Sequence, residues 1–182
     1  MKKLIMMMAI MICFVGVSFG QEVKDSTQIK DSIENKIIYS FDVMTDVEYL
    51  KFEKGLLCSR DGETGFIIFV DITLEKGIIK YDGFRVTSAN IGSCLEESKI
   101  IFLFEDDTKI DLVSWNDFNC KGNSYYDLYA KFWDKISTKK VTAIRFTNGR
   151  SYESYTYELT SKEQSYFMEL NELIKENKYT EK

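Results

Sequence analysis

The sequence predicts an α+β domain, predominantly an antiparallel β-sheet of about six to eight strands, curved or sandwich-like, with two helices. Three observations carry that prediction. Apolar and polar residues alternate over much of 37–115, turn-forming residues punctuate the runs at short intervals, and a helical period appears only near 125–136 and 161–175. Strands that follow one another through tight turns pair antiparallel, which separates this chain from a parallel α/β fold.

The first strand-like run starts at Ile37. Ile37, Tyr39, Phe41, Val43, Val47 and Tyr49 occupy odd positions against Ser40, Asp42, Asp46 and Glu48 on even ones, as in a half-buried strand or pair of strands. After a turn at Arg60–Gly65, Phe66–Leu74 is almost continuously apolar, the pattern of a strand covered on both faces. Glu75-Lys76-Gly77 turns the chain into Ile78–Val86, making a hairpin. A second hairpin runs Lys99–Phe104, turns at Glu105-Asp106-Asp107-Thr108, and returns along Lys109–Trp115.

The period then changes. Asn123 or Ser124 can cap a helix, with Asp127 three residues after Ser124 in the manner of a capping box. Leu128, Phe132 and Ile136 recur at i, i+4 and i+8 beside Tyr125, Tyr129 and Trp133, predicting a helix at about 125–136. Val141–Phe146 and Tyr152–Leu159 read as strands joined around Asn148-Gly149, the dipeptide that best accepts the positive φ of a two-residue hairpin turn. Ser161 with Gln164 resembles a second capping box, opening a helix to about 175 whose apolar stripe is Phe167, Leu170, Leu173 and Ile174.

Ahead of the domain, Lys2 and Lys3 precede an uncharged apolar run, Leu4–Val17, and Ser18 and Gly20 stand at −3 and −1 of a cut before Gln21. Residues 1–20 read as a cleavable signal peptide, because the run is shorter than the ~20 residues that span a bilayer. Cys13 follows Ile12, a bulky neighbour that a lipid-bearing cysteine does not have. Residues 21–36 are polar and read as a flexible leader, so the expected organisation is signal 1–20, leader 21–36 and one domain at 37–182. The expected destination is the periplasm or the exterior, with no membrane span once the signal is removed.

Without the signal peptide's two lysines, 22 basic residues face 29 acidic ones, a net charge of −7. That balance argues against a nucleic-acid partner. The chain has no histidine, which removes Ser-His and Cys-His nucleophile pairs and the commonest ligands of transition metals. No Walker loop, dinucleotide fingerprint or nucleophile elbow is present. Ser137-Thr138-Lys139-Lys140 has the S-x-x-K spacing of serine acyl enzymes, but Ser137 would close a helix rather than open one. Glu105, Asp106, Asp107 and Asp111 lack the glycine and terminal glutamate of a calcium loop and fit a solvated turn. Neither a cofactor nor a metal is expected.

Cys58, Cys94 and Cys120 follow the leader, and export would place them in an oxidising setting. If the second hairpin turns about Asp106-Asp107, facing residue numbers add to about 213, and a three-residue loop raises this to about 214. Cys94 and Cys120 add to 214, so the extended ladder would set them opposite each other. Another pairing, or none, stays open because 94–98 reads equally as a loop; Cys58 would be left as a buried thiol. Lys131, Lys135, Lys139, Lys140, Arg145 and Arg150 make the centre of the chain locally basic, with Lys131 and Lys135 on one helical face. They suit a solvated surface or an anionic or glycan partner. Tyr152 alternates with Tyr155 and Tyr157, which with Arg145 and Arg150 suggests an interaction surface. The function expected from these features is an exported, non-enzymatic binding protein with a protein or glycan partner. The alternatives are a hydrolase using carboxylates and tyrosines, and a structural component of an envelope assembly.

Overall fold

A computed structural model describes residues 37–45, 47–75 and 78–178; the expected signal peptide at 1–20 and the expected leader at 21–36 lie outside them. The architecture is α+β and mainly β, with ten strands in two antiparallel sheets and two helices. The six-stranded sheet contains β1 (Ile37–Asp42), β2 (Val47–Phe52), β3 (Leu56–Ser59), β4 (Gly65–Glu75), β5 (Ile78–Ala89) and β8 (Asn123–Asp127). The four-stranded sheet contains β6 (Lys99–Phe104), β7 (Lys109–Val113), β9 (Val141–Thr147) and β10 (Ser154–Glu158), in the order β10-β9-β6-β7. In the larger sheet β2 and β3 lie end to end on one edge of β4, pairing its residues 71–74 and 65–68, while β5 takes the other edge and β8 follows β5.

Alternation decides which way each strand faces. Phe66, Ile68, Val70 and Ile72 of β4 and Phe84 and Val86 of β5 point inward and are buried. Ile100, Phe102 and Phe104 of β6, with Ile144 and Phe146 of β9, point back at them. The sheets meet through rings, Phe66 against Phe146 at 5.7 Å and Phe84 against Phe102 at 5.4 Å. Burying each such ring contributes roughly 1.5–3 kcal/mol. The apolar run 66–74 is thus covered on one face only, for Ile67, Phe69, Asp71 and Thr73 on the other face stay partly exposed. In β2 the buried side chains are the even-numbered Leu50 and Phe52, because the register that sets Ile37 opposite Phe52 and Asp42 opposite Val47 puts odd positions of β1 across from even positions of β2.

The helices close the sandwich. α1 (Ala130–Ile136) buries Trp133 and Ile136, and α2 (Tyr166–Lys178) buries Tyr166, Phe167, Leu170 and Ile174. Phe167 sits edge-on to both Phe84 and Phe102, so α2 seals the junction between the sheets. Trp133 Nε1 donates to Asn171 Oδ1 at 3.1 Å and ties α1 to α2.

Three local expectations are corrected. The helix near 125–136 starts at Ala130, and the Ser124/Asp127 box does not form. Residues 123–127 instead pair with β5 as a strand, with Ser124 and Tyr126 buried and Tyr125 outward. The second helix is opened by Thr160 and Glu163 rather than Ser161 and Gln164, with Thr160 N and Oγ1 both donating to Glu163 Oε2 at 2.8 Å. A single 3₁₀ turn, Glu163–Ser165, leads into α2. Asn148-Gly149 makes no two-residue turn, since neither residue has positive φ and Thr147 pairs with Ser154 around a six-residue loop.

Asn148 is instead a buried clasp. Its Nδ2 donates to Ile91 O and Cys94 O at 3.0 and 2.9 Å, and its Oδ1 accepts the amides of Arg150 and Ser151. Gly149 lies so close to the crossover between the sheets that a Cβ there would stand 2.2 Å from Glu96 O. The disulfide Cys94–Cys120 is formed, with a Cα separation of 4.1 Å. The register that brings it about differs from the expected one. Lys99 faces Val113 and Leu103 faces Lys109, so facing numbers in the hairpin add to 212, with Asp107 at φ +60° in the left-handed position of the loop. Beyond Ser98 the chain bends through Glu97 at φ +45°, and Leu95 faces Asn119, which restores 214.

Replacing Cys94 and Cys120 together by serine is expected to lower unfolding free energy by about 2–4 kcal/mol, read from urea titration under non-reducing conditions. An acid limb of stability is expected as well. The amides of Glu63 and Thr64 hold the Asp61 carboxyl below its ordinary range, and the Lys139 ammonium with the Thr108 hydroxyl holds Asp106 far below it. A carboxylate depressed by folding stabilises the native state above its unfolded value near 3.8, and that contribution disappears as pH falls through the folded value. The thermal midpoint should therefore decline below about pH 4, and Asp61→Asn with Asp106→Asn should flatten that decline.

Candidate ligand-binding face

Outward side chains of the six-stranded sheet form rows across the strands, because facing residues of an antiparallel pair share a face. One row is Ile38, Lys51, Asp71, Gly83 and Asp127 on β1, β2, β4, β5 and β8. The next is Phe69, Arg85 and Tyr125 on β4, β5 and β8. A third carries Tyr49, Thr73 and Lys80. Gly83 leaves a gap in the side chains of the first row, and a groove of about 460 Å³ lies along these rows. Tyr49, Lys51, Asp71, Arg85 and Tyr125 line it, over the backbone of Leu50 and Ile72.

A β-bulge sits beside the gap. Asp71 faces Gly83 while Ile72 faces Tyr81, so Asp82 is an extra residue in β5. Gly83 is obligatory here for a steric reason, since a Cβ would stand 2.2 Å from Tyr126 O.

Two contacts stiffen the wall. The Arg85 guanidinium stacks over the Phe69 ring at 4.3 Å, which fixes its plane and leaves its N–H edges for a ligand. Trp115, 64% exposed, packs against Tyr125 with ring centroids 5.6 Å apart. Its position is set by backbone pairing, since Trp115 N donates to Tyr125 O at 3.0 Å and Tyr125 N donates to Asn116 Oδ1 at 2.8 Å. Asn119 Nδ2 then donates to Asn123 O, so the loop after β7 runs along the free edge of β8 as a side-chain imitation of a strand.

The residues singled out in the sequence lie elsewhere and do not gather into one surface. Tyr152 is 81% exposed in the 148–153 loop, with φ +61°. Tyr155 is half-buried, edge-on to Phe66, and its hydroxyl accepts the Arg60 amide at 3.0 Å. Tyr157 is buried and donates to the Glu163 carboxylate at 3.1 Å; burial, then the charge of Glu163, pushes its pKa up. Arg145 donates to Thr156 Oγ1, and Arg150 lies over the Phe118 ring. Cys58 is fully buried in β3, where desolvation, then Glu163, raises its pKa far above the ordinary thiol range. Among the described residues no three Cys, Asp or Glu side chains gather as a metal-ligand set, and no helix is long and apolar enough to cross a membrane.

The sequence reading missed Phe69, Asp71, Arg85 and Trp115. A signal was present: Asp71 is the only charged residue within Phe66–Leu74, and Arg85 interrupts the apolar end of its strand. Comparison with protein-family models, with curated proteins and with solved structures finds no match.

Gly83→Ala is expected to cost about 2 kcal/mol in urea titration, by forcing β5 and β8 apart.

Proposed function

We propose that this chain is an exported, non-catalytic binding protein that holds a neutral saccharide against the outer face of its six-stranded sheet. The observation that carries the reading is the groove lined by Tyr49, Tyr125, Lys51, Asp71 and Arg85, with Trp115 packed against Tyr125. A pyranose has C–H faces that stack on aromatic rings and a rim of hydroxyls that need donors and acceptors together. Aromatic side chains supply large rigid contact area, and a few placed polar groups supply orientation. Lys51 and Arg85 donate, and Asp71 accepts. The mixed signs suit a neutral ligand better than an ionic one. The groove is concave and of small-ligand size, which favours a sugar over a flat protein partner. The apolar, charge-free stretch at the start of the chain supports export.

One observation supports the hydrolase alternative. Asp71 and Asp127 flank Gly83 in one row, two strand spacings apart, or roughly 10 Å between their Cα atoms. Glycoside hydrolysis uses a pair of carboxyl groups, and Asp71 of this pair lines the groove.

Isothermal calorimetry against a panel of neutral oligosaccharides tests both readings. Binding by the wild type is expected, with Trp115→Ala and Tyr125→Ala each weakening it about tenfold or more. The thermal midpoint of Trp115→Ala should stay within about 2 °C of wild type, because that ring is largely solvent-exposed. Absence of binding across the panel contradicts the saccharide reading. Release of reducing ends, lost in Asp71→Asn and Asp127→Asn, would make the groove catalytic.

A further inference from the structure

A second groove, of about 340 Å³, lies between β7 and α1. Lys109 of β7 and Lys131 and Lys135 of α1 line it together with Asp111 and Phe132. Three ammonium groups against one carboxylate give this groove a positive lining on a chain whose formal net charge is −5.

How those ammonium groups are held is informative. Lys131 and Lys135 stand four residues apart, on one face of α1. The Lys131 Nζ lies 4.9 Å from the Phe132 ring centroid, and the Lys135 Nζ lies 4.8 Å from that of Phe104. Phe104 is 1% exposed, so its ring is a fixed part of the core and Lys135 is anchored against it. Among the described residues none of the three lysines forms an ion pair, whereas nearby Lys139 is paired with Asp106. Three like charges facing a single carboxylate repel on balance, and the repulsion is relieved by an anion that bridges them. Tetrahedral oxyanions suit this geometry, because each oxygen can take one of several separately rooted ammonium donors.

We infer that the Lys109–Lys131–Lys135 groove binds a tetrahedral oxyanion, the phosphate or sulfate group of a small soluble ligand. This inference is independent of the saccharide reading and stands on different residues.

Amide chemical-shift titration of the purified protein tests it, with sodium phosphate, sodium sulfate and sodium acetate added in turn against sodium chloride at matched ionic strength. Saturable shifts confined to amides of 109–111 and 131–135 are expected with phosphate, with sulfate, or with both, and these arms tell the two sources apart. In Lys131→Gln/Lys135→Gln the apparent dissociation constant should rise at least tenfold, while the shifts of the core amides of β4 and β5 stay as in wild type. Three outcomes overturn the inference: no saturable shift with phosphate or sulfate beyond the chloride control, equal shifts with acetate, or unchanged affinity in the folded double variant.

Discussion

The pairing of β4 with β5 is the constraint on which the rest depends. It is the longest ladder in the structure, running from Gly65↔Ala89 to Glu75↔Ile78. Because side chains alternate across a strand, its register decides both faces at once. Phe66, Ile68, Val70, Phe84 and Val86 fall inward and make the aromatic contact with the four-stranded sheet. Phe69, Asp71 and Arg85 fall outward, where Asp71 and Arg85 line the groove and Phe69 supports the Arg85 guanidinium. A slip of one residue would exchange the two sets and lose the core and the groove together. The bulge at Asp82 is the single irregularity in this ladder, and it lies where the groove needs a gap.

Holding the sheets face to face is the task of the crossover from β5 to β6. Its backbone, between Asn90 and Ser98, is fastened by the Asn148 side chain, by Gly92 N donating to Glu153 Oε2 and by the Cys94–Cys120 bond. These links stitch three loops that are distant in sequence, and they lie at sheet ends, away from the outer face. Phe167 of α2 closes the junction between the sheets by touching Phe84 and Phe102. The outer face of the six-stranded sheet is therefore backed by packed rings, a rigid platform of the kind that costs a ligand little ordering.

Much of the fold was legible because alternation and turn chemistry are local. The two long hairpins, the stripe of the last helix and the class of the fold follow from residues a few positions apart. The failures share a physical cause, namely tertiary pairing that no local pattern contains. Ser124-Tyr125-Tyr126 reads as the start of a helix, yet β5 offers an unpaired edge that takes it as a strand. Asn148 reads as a turn residue, yet the carbonyls of Ile91 and Cys94 claim its amide. The cysteine pair was reached through a register two residues off in the hairpin, which the irregular stretch beyond Ser98 restores. The groove was the least legible feature. Its members come from β2, β4, β5 and β8, and only the strand order brings them side by side.

The most direct test is a map of interproton contacts across the β4–β5 ladder by nuclear Overhauser spectroscopy in solution. The account predicts contacts of Phe84 with Phe102 and Phe167, contacts of Arg85 with Phe69 and Tyr125, and Ile72 facing Tyr81 with Asp82 left over. A ladder that continues regularly, with Ile72 facing Asp82, or Arg85 in contact with the rings of the four-stranded sheet, would contradict it.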